Sequence, residues 1–326
     1  MLHIAILGCG QIGSRHLQSL ALLEEPAQIH LVDPSLQSLE TAEARFSQAV
    51  SDEHSQAFRL TRHGSPETLP STLDLAIIAS SSFHRAALCE SLLSVSKPKF
   101  VILEKFLFPR LADYDRIGEL LSENRVPAYV NQWVATTFAF QRIAAWIGGN
   151  PVEMKVCGRG WGLCCNAVHY IEPFQHLTGM QELRVQSSRF EDGFEASKRS
   201  GYREIFGSIQ FESADGSKLE LSCDSGSPED RTHFSISSQH CSAQVEFSID
   251  RFQCHFNNGS REWDDLFWIP MQSQLTHRFV QQLFSEGKCG LPDFATSSAQ
   301  HRLVLEPFLN HFRKSDPTVG DICPIT

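Results

Sequence analysis

Short apolar runs rich in β-branched residues alternate with longer amphipathic stretches over the first ~130 residues, a pattern that predicts βαβ units around a parallel sheet. Residues 3–7, 29–32, 75–79, 100–103 and 128–130 read as buried strands, and 57–60 as a further one. Between them, 12–23, 35–49, 83–95 and 111–124 have the length and apolar spacing of helices. Pro26, Pro98 and Pro109 are expected in connections, where a missing N–H costs nothing. After Trp133 the period changes to two. Residues 204–212, 218–223, 233–238, 244–249 and 252–256 alternate, with turns at Asp215-Gly216 and Asn258-Gly259. These predict an antiparallel sheet. Helical spacing returns around Leu275, Phe279 and Leu283, and again around Leu303, Leu305 and Leu309. The fold class expected is an α/β Rossmann domain plus an α+β domain with a large, mainly antiparallel open sheet. Its divisions are a nucleotide-binding domain at 1–130, a substrate domain at 131–290, and a C-terminal helical segment at 291–326 that packs back on the first.

The chain has 326 residues, 28 Lys plus Arg against 38 Asp plus Glu, and a formal charge of -10, which argues against a nucleic-acid partner. No run approaches the roughly 20 apolar residues of a spanning helix, and the first ten residues lack a basic segment, so a soluble cytoplasmic chain is expected. Ten cysteines are scattered, with only Cys164 and Cys165 adjacent and no C-x-x-C pair. Free, mostly buried thiols are therefore expected.

Gly8-Cys9-Gly10-Gln11-Ile12-Gly13 is a G-x-G-x-x-G placed between a predicted strand and a predicted helix. Gly8 makes the tight turn, Gly10 admits a pyrophosphate to the backbone, Gly13 allows close helix packing, and the anion sits on the helix N-terminus beside Gln11 and Ile12. Asp33 follows about 20 residues on, where a carboxylate holds a ribose diol and repels a 2′-phosphate. NAD is therefore expected as cofactor rather than NADP.

Four further stretches, read with that turn, resemble the glucose-fructose oxidoreductase / inositol dehydrogenase / rhizopine-catabolism (Gfo/Idh/MocA) family. Ala79-Ser80-Ser81-Ser82-Phe83-His84 is similar to its A-[ST]-x-x-x-H segment and Glu104-Lys105 to the start of its E-K-P signature. Asn131 closes the sixth strand as the family's segment does, and residues 165–172 resemble its D-x-G-x-H-x-x-D helix start. The resemblance implies hydride transfer between NAD(P) and a sugar, sugar derivative or cyclic polyol. It places Ser80, His84, Glu104 and Asn131 around the cofactor. Lys105 would hold and polarise the reacting oxygen and His169 would move the proton. Arg159, Trp161 and Asn166, in the loop before that helix, and Tyr170 are expected on the substrate side, with Tyr170 a reserve proton carrier if its pKa were depressed.

Two departures stand out. Phe106 follows Lys105 where the family has proline, and Cys165 and Glu172 replace the two aspartates, with Asn166 or Glu172 as substitute partners of His169. A catalytically altered NAD(H)-binding sensor or partner subunit is the alternative that Cys165 raises. His169, Glu172 and His176 share a helix face, but Pro173 and the lack of an H-E-x-x-H pattern argue against a metal. By family analogy the open face of the antiparallel sheet is expected to pair with another subunit, as an exposed sheet face with apolar residues usually needs covering, giving a homodimer or homotetramer.

Overall fold

The computed structural model describes residues 1–179, 182–226, 232–239, 241–247, 252–257, 262–266 and 270–326. The chain divides into two compact units, 1–131 with 270–298, and 132–269 with 299–326.

The first unit holds six parallel strands, β1 (Leu2–Leu7), β2 (Ala27–Val32), β3 (Phe58–His63), β4 (Thr72–Ile78), β5 (Lys97–Leu103) and β6 (Ala128–Val130), in the order β3-β2-β1-β4-β5-β6. Helices α1 (Gln11–Leu20), α2 (Leu36–Ala49), α3 (Ser82–Val95) and α4 (Leu111–Asn124) connect them, so the sheet is doubly wound, a Rossmann fold. Ile4, Ile6, Ile29, Leu31, Leu75 and Ile77 are fully buried, which is why these strands read as unbroken apolar runs. Pro98 lies inside β5 opposite Leu73, not in a connection. It is tolerated because β6 begins to pair only at Val101, so no ladder bond is lost on that side.

The second unit carries α5 (Phe138–Ile147), β7 (Val152–Arg159), α6 (Leu163–Asn166), α7 (Val168–Leu177) and nine further strands. These are β8 (Leu183–Phe190), β9 (Glu195–Ala196), β10 (Arg203–Glu204), β11 (Gly207–Ser213), β12 (Lys218–Asp224), β13 (Thr232–Ser238), β14 (Cys241–Phe247), β15 (Phe252–Asn257) and β16 (Glu262–Leu266). Eight form one sheet in the order β16-β15-β14-β13-β7-β12-β11-β8, antiparallel except for the parallel pair β7–β12, and β9 and β10 form a separate two-stranded ribbon. Ile249 and the Asn258-Gly259 turn lie outside the described residues. The expected strand at 204–212 is divided between β10 and β11, and β7 is a strand where Arg159 was expected in a loop.

Along β7, Val152, Met154 and Val156 are buried while Glu153, Lys155 and Cys157 are exposed. Gln210, Glu220 and His233 continue this outward face. At these positions the face is polar.

Helix α8 (Thr276–Glu286) groups with the first unit, although its sequence position was assigned to the substrate domain. The Ser19 hydroxyl accepts from the His277 N–H at 3.1 Å, and Val130 N–H donates to the Pro292 carbonyl at 3.0 Å. These bonds tie 270–298 to α1 and β6. Helix α9 (Phe294–Ser315) begins in the first unit and continues into the second, burying Val304, Leu305, Phe308 and Phe312. No helix among the described residues is long and apolar enough to cross a membrane.

Candidate functional site

The glycine turn follows directly from β1. Gly8 has φ +92°, and a Cβ there would press on the backbone of Ser80, 2.7 Å from its nitrogen. A Cβ at Gly13 would collide with the Gly8 carbonyl, so both positions exclude any larger residue. At Gly10, by contrast, a Cβ would meet nothing within 4 Å. The open space lies at the N-terminus of α1, whose N-cap Gly10 brings no side-chain cap and whose first turn carries no acid. Uncapped N–H groups and the positive end of the helix dipole face it.

Asp33, one residue beyond β2, accepts from the N–H groups of Cys9 and Ser35, each at 2.8 Å, which pins the carboxylate beside the glycine turn. Arg45 of α2 donates to Gln11 Oε1 at 3.0 Å and to Ser14 Oγ, adding a cation over the same helix start. Turn, carboxylate and cation together suit a dinucleotide's pyrophosphate and ribose.

Ser80 and Lys105 sit at the carboxyl ends of β4 and β5, and His84 is exposed in the first turn of α3. Lys105 is half-buried, and the peptide bond joining it to Phe106 is cis. Arg85 lies behind these loops and is 1% exposed. It donates to the carbonyls of Ser80, Phe106 and, at 2.9 Å, Leu107. One buried guanidinium thus joins the β4 and β5 loops. Its signal was a charge on the apolar stripe of α3 formed by Ala86, Cys89 and Leu92, which sequence reading passed over.

Glu104, assigned to the cofactor by the resemblance, turns its carboxylate inward. It is 7% exposed and accepts from His16 Nε2 at 2.8 Å and from the Asn131 amide. Burial raises its pKa, and the bonds from His16 and Asn131 outweigh that and hold it at about 2. His16 is itself 1% exposed on the buried face of α1, a second polar residue in an apolar stripe that carried no reading from sequence.

In the second unit, His169 is the second residue of α7, half-buried, with its ring 6.3 Å from that of Trp133. Trp161, Asn166 and Tyr170 form one cluster. Trp161 Nε1 donates to the Ser222 carbonyl at 2.7 Å, Asn166 Nδ2 donates to the Trp161 carbonyl at 2.7 Å, and the Tyr170 ring meets the Trp161 ring edge-on. Burial pushes the Tyr170 phenol above its ordinary value, which removes it as a proton carrier near neutral pH. Arg159 ends β7 and is exposed. Cys165 Sγ donates to the Gly162 carbonyl at 3.5 Å.

Glu172, a proposed substitute partner of His169, is 6% exposed and accepts from Ala135 N–H at 3.3 Å. Burial lifts its pKa to about 8 despite that bond. Gln132 Nε2 donates to the Val168 carbonyl and to Gln300 Oε1, so both amide hydrogens are engaged inside the second unit.

Residues 2–132 match the family model GFO_IDH_MocA, described as an oxidoreductase family with an NAD-binding Rossmann fold. No curated protein sequence matches the chain. Among solved structures, UDP-N-acetylglucosamine 3-dehydrogenase GnnA from Acidithiobacillus ferrooxidans is similar with a TM-score of 0.69 at 13% identity, over 94% of this chain and 96% of that one. KijD10, a 3-ketoreductase from Actinomadura kijaniata in complex with TDP-benzene and NADP, gives 0.69 at 13%, over 93% and 95%. Gal80p from Saccharomyces cerevisiae gives 0.70 at 15%, over 96% of each chain. At these identities the likeness is one of fold, shared by dehydrogenase, reductase and Gal80p alike.

Proposed function

We propose that the chain is an NAD-linked oxidoreductase that moves a hydride between nicotinamide and the hydroxyl or keto carbon of a sugar, sugar derivative or cyclic polyol. The observation that carries this reading is the open cradle at Gly10 on the uncapped start of α1, with Asp33 pinned beside it. Gly8, Gly10 and Gly13 with Gln11 and Ile12 hold the pyrophosphate, and Asp33 holds the adenosine ribose and disfavours a 2′-phosphate. Bound nicotinamide supplies the carbon that accepts or returns the hydride. Ser80, His84 and Asn131 serve its ring side, with Glu104 behind Asn131. Lys105 donates to the substrate oxygen and stabilises it as negative charge develops. His169 takes the hydroxyl proton in oxidation and returns it in reduction. Arg159, Trp161, Asn166 and Tyr170 shape the substrate side.

A second reading keeps the nucleotide and omits the chemistry, leaving a sensor or partner subunit. It is favoured by Cys165, whose thiol donates to a backbone carbonyl where the resembled motif has a carboxylate. Fluorescence titration with NADH should show binding under both readings. Only the enzyme forms NADH with a sugar or polyol, at a rate that falls about a hundredfold or more in Lys105→Ala and in His169→Ala. Unchanged turnover in both variants would remove those residues from the mechanism.

A further inference from the structure

Four buried side chains of the first unit and the half-buried Gln272 form a chain of hydrogen bonds whose direction is fixed from one end. A carboxylate only accepts, so the Asn131 atom on Glu104 Oε1 is the amide nitrogen. The same nitrogen lies 2.7 Å from Gln272, which must therefore present Oε1 to it. Gln272 Nε2 is then left to donate to Thr276 Oγ1 at 2.9 Å, with His16 Nδ1 also near at 3.3 Å. Glu104 requires a donor at His16 Nε2, so a ring with one proton leaves Nδ1 as the acceptor, and Thr276 gives it its own hydrogen at 2.8 Å. His16 Nδ1 is thus an acceptor, and the ring proton resides on Nε2, 2.8 Å from Glu104. Every donor along the path points toward the carboxylate.

One polar atom of the cluster is left over. Asn131 is 2% exposed, and no donor among the described residues meets its Oδ1. A buried acceptor left unsatisfied is destabilising, and a ligand N–H would satisfy it. Asn131 ends β6 as Glu104, beside Lys105, ends β5, at the carboxyl edge of the parallel sheet where such folds take their ligands.

We propose that His16 is a positioning residue: in its Nε2–H form it locks Glu104 and, through it, turns Asn131 so that the amide oxygen is offered to the carboxamide N–H of a bound nicotinamide. This rests on the dinucleotide reading above. His16 touches neither nucleotide nor substrate in this scheme, and the contact it sets is made only with the nicotinamide half of the cofactor.

ADP-ribose lacks nicotinamide, so it separates that contact from the rest of the site. In His16→Leu, NADH affinity should fall about tenfold or more while ADP-ribose affinity stays within about twofold, the size of one buried hydrogen bond. His16→Gln, which keeps a donor for Glu104 and an acceptor for Thr276, should restore NADH binding to within about threefold. Thr276→Val, nearly isosteric, should weaken NADH in the same selective direction, and it covers the case in which His16→Leu does not fold. Histidine ¹⁵N spectra of the intact protein should show His16 with the proton on Nε2. Equal losses for both ligands, no loss for either, or a proton on Nδ1 would each overturn the proposal. Wild-type protein that binds neither NADH nor ADP-ribose would instead overturn the dinucleotide reading and take the proposal with it.

Discussion

Each unit buries a glutamate, and the two are in opposite electrostatic states. Glu104 receives a ring N–H and an amide N–H, and its pKa is held at about 2. Glu172 receives a single backbone N–H at 3.3 Å, and burial lifts its pKa to about 8. The two side chains are 7% and 6% exposed, so depth does not separate them. The number of donors does, together with the Arg85 charge near Glu104, because desolvation penalises any buried charge and hydrogen bonds or opposite charges offset it. At neutral pH Glu104 is a fixed anion that organises its neighbours, and Glu172 is mostly a neutral acid.

The sharpest way to break the contrast is to remove Glu104. Glu104→Ala strands the His16 and Asn131 donors in a buried space, at a cost of about 3 kcal/mol or more in chemical denaturation. A loss below about 1 kcal/mol would mean that the network contributes little.

Glu172 should behave in the opposite sense. Its proton is retained in the folded protein and released by the unfolded chain, so its contribution to stability declines as pH rises from about 4.5 to about 8. Glu172→Gln keeps an acceptor for Ala135 N–H and has nothing to ionise. Relative to wild type it should gain on the order of 2 kcal/mol at pH 9 and little at pH 5, with amide exchange in α7 reporting the difference. A gain that does not vary with pH would place its cause elsewhere.

The contrast also marks what could be read from the chain alone. The parallel order of the first unit was legible because its strands are buried on both faces and read as apolar runs, with helices of full length between them. The glycine turn was legible because strand, glycines, helix and Asp33 are local and in sequence register. In the second unit the alternation of Val152, Met154 and Val156 was present but unread, and Arg159 was misplaced with it. The parallel β7–β12 pair is a long-range pairing that no local pattern encodes. Arg85 and His16 were missed for a different reason. Each appears in sequence as one polar residue on an apolar helix face, and its meaning depends on carbonyls or a carboxylate that only the fold delivers. Glu104 and Glu172 likewise look equivalent in sequence, since neither one's donors are near in the chain.

The smallest effect is the most direct test of the donor count. Asn131→Ala removes one of the two donors to Glu104 and leaves His16 in place, moving this carboxylate one step toward the situation of Glu172. The stabilising contribution of Glu104 is complete above about pH 4.5, the ordinary value of its group, and is lost as pH falls toward 2. A hydrogen bond to a buried charge contributes about 1.5–3 kcal/mol, and part of that will be recovered by Gln272 or water entering the space. The acid limb of stability should therefore move up by about one pH unit, with the neutral-pH plateau lowered by no more than about 2 kcal/mol. An acid limb that stays in place while the plateau falls would show that Asn131 supports packing alone. Glu104 would then owe its ionised state to His16 and the Arg85 charge.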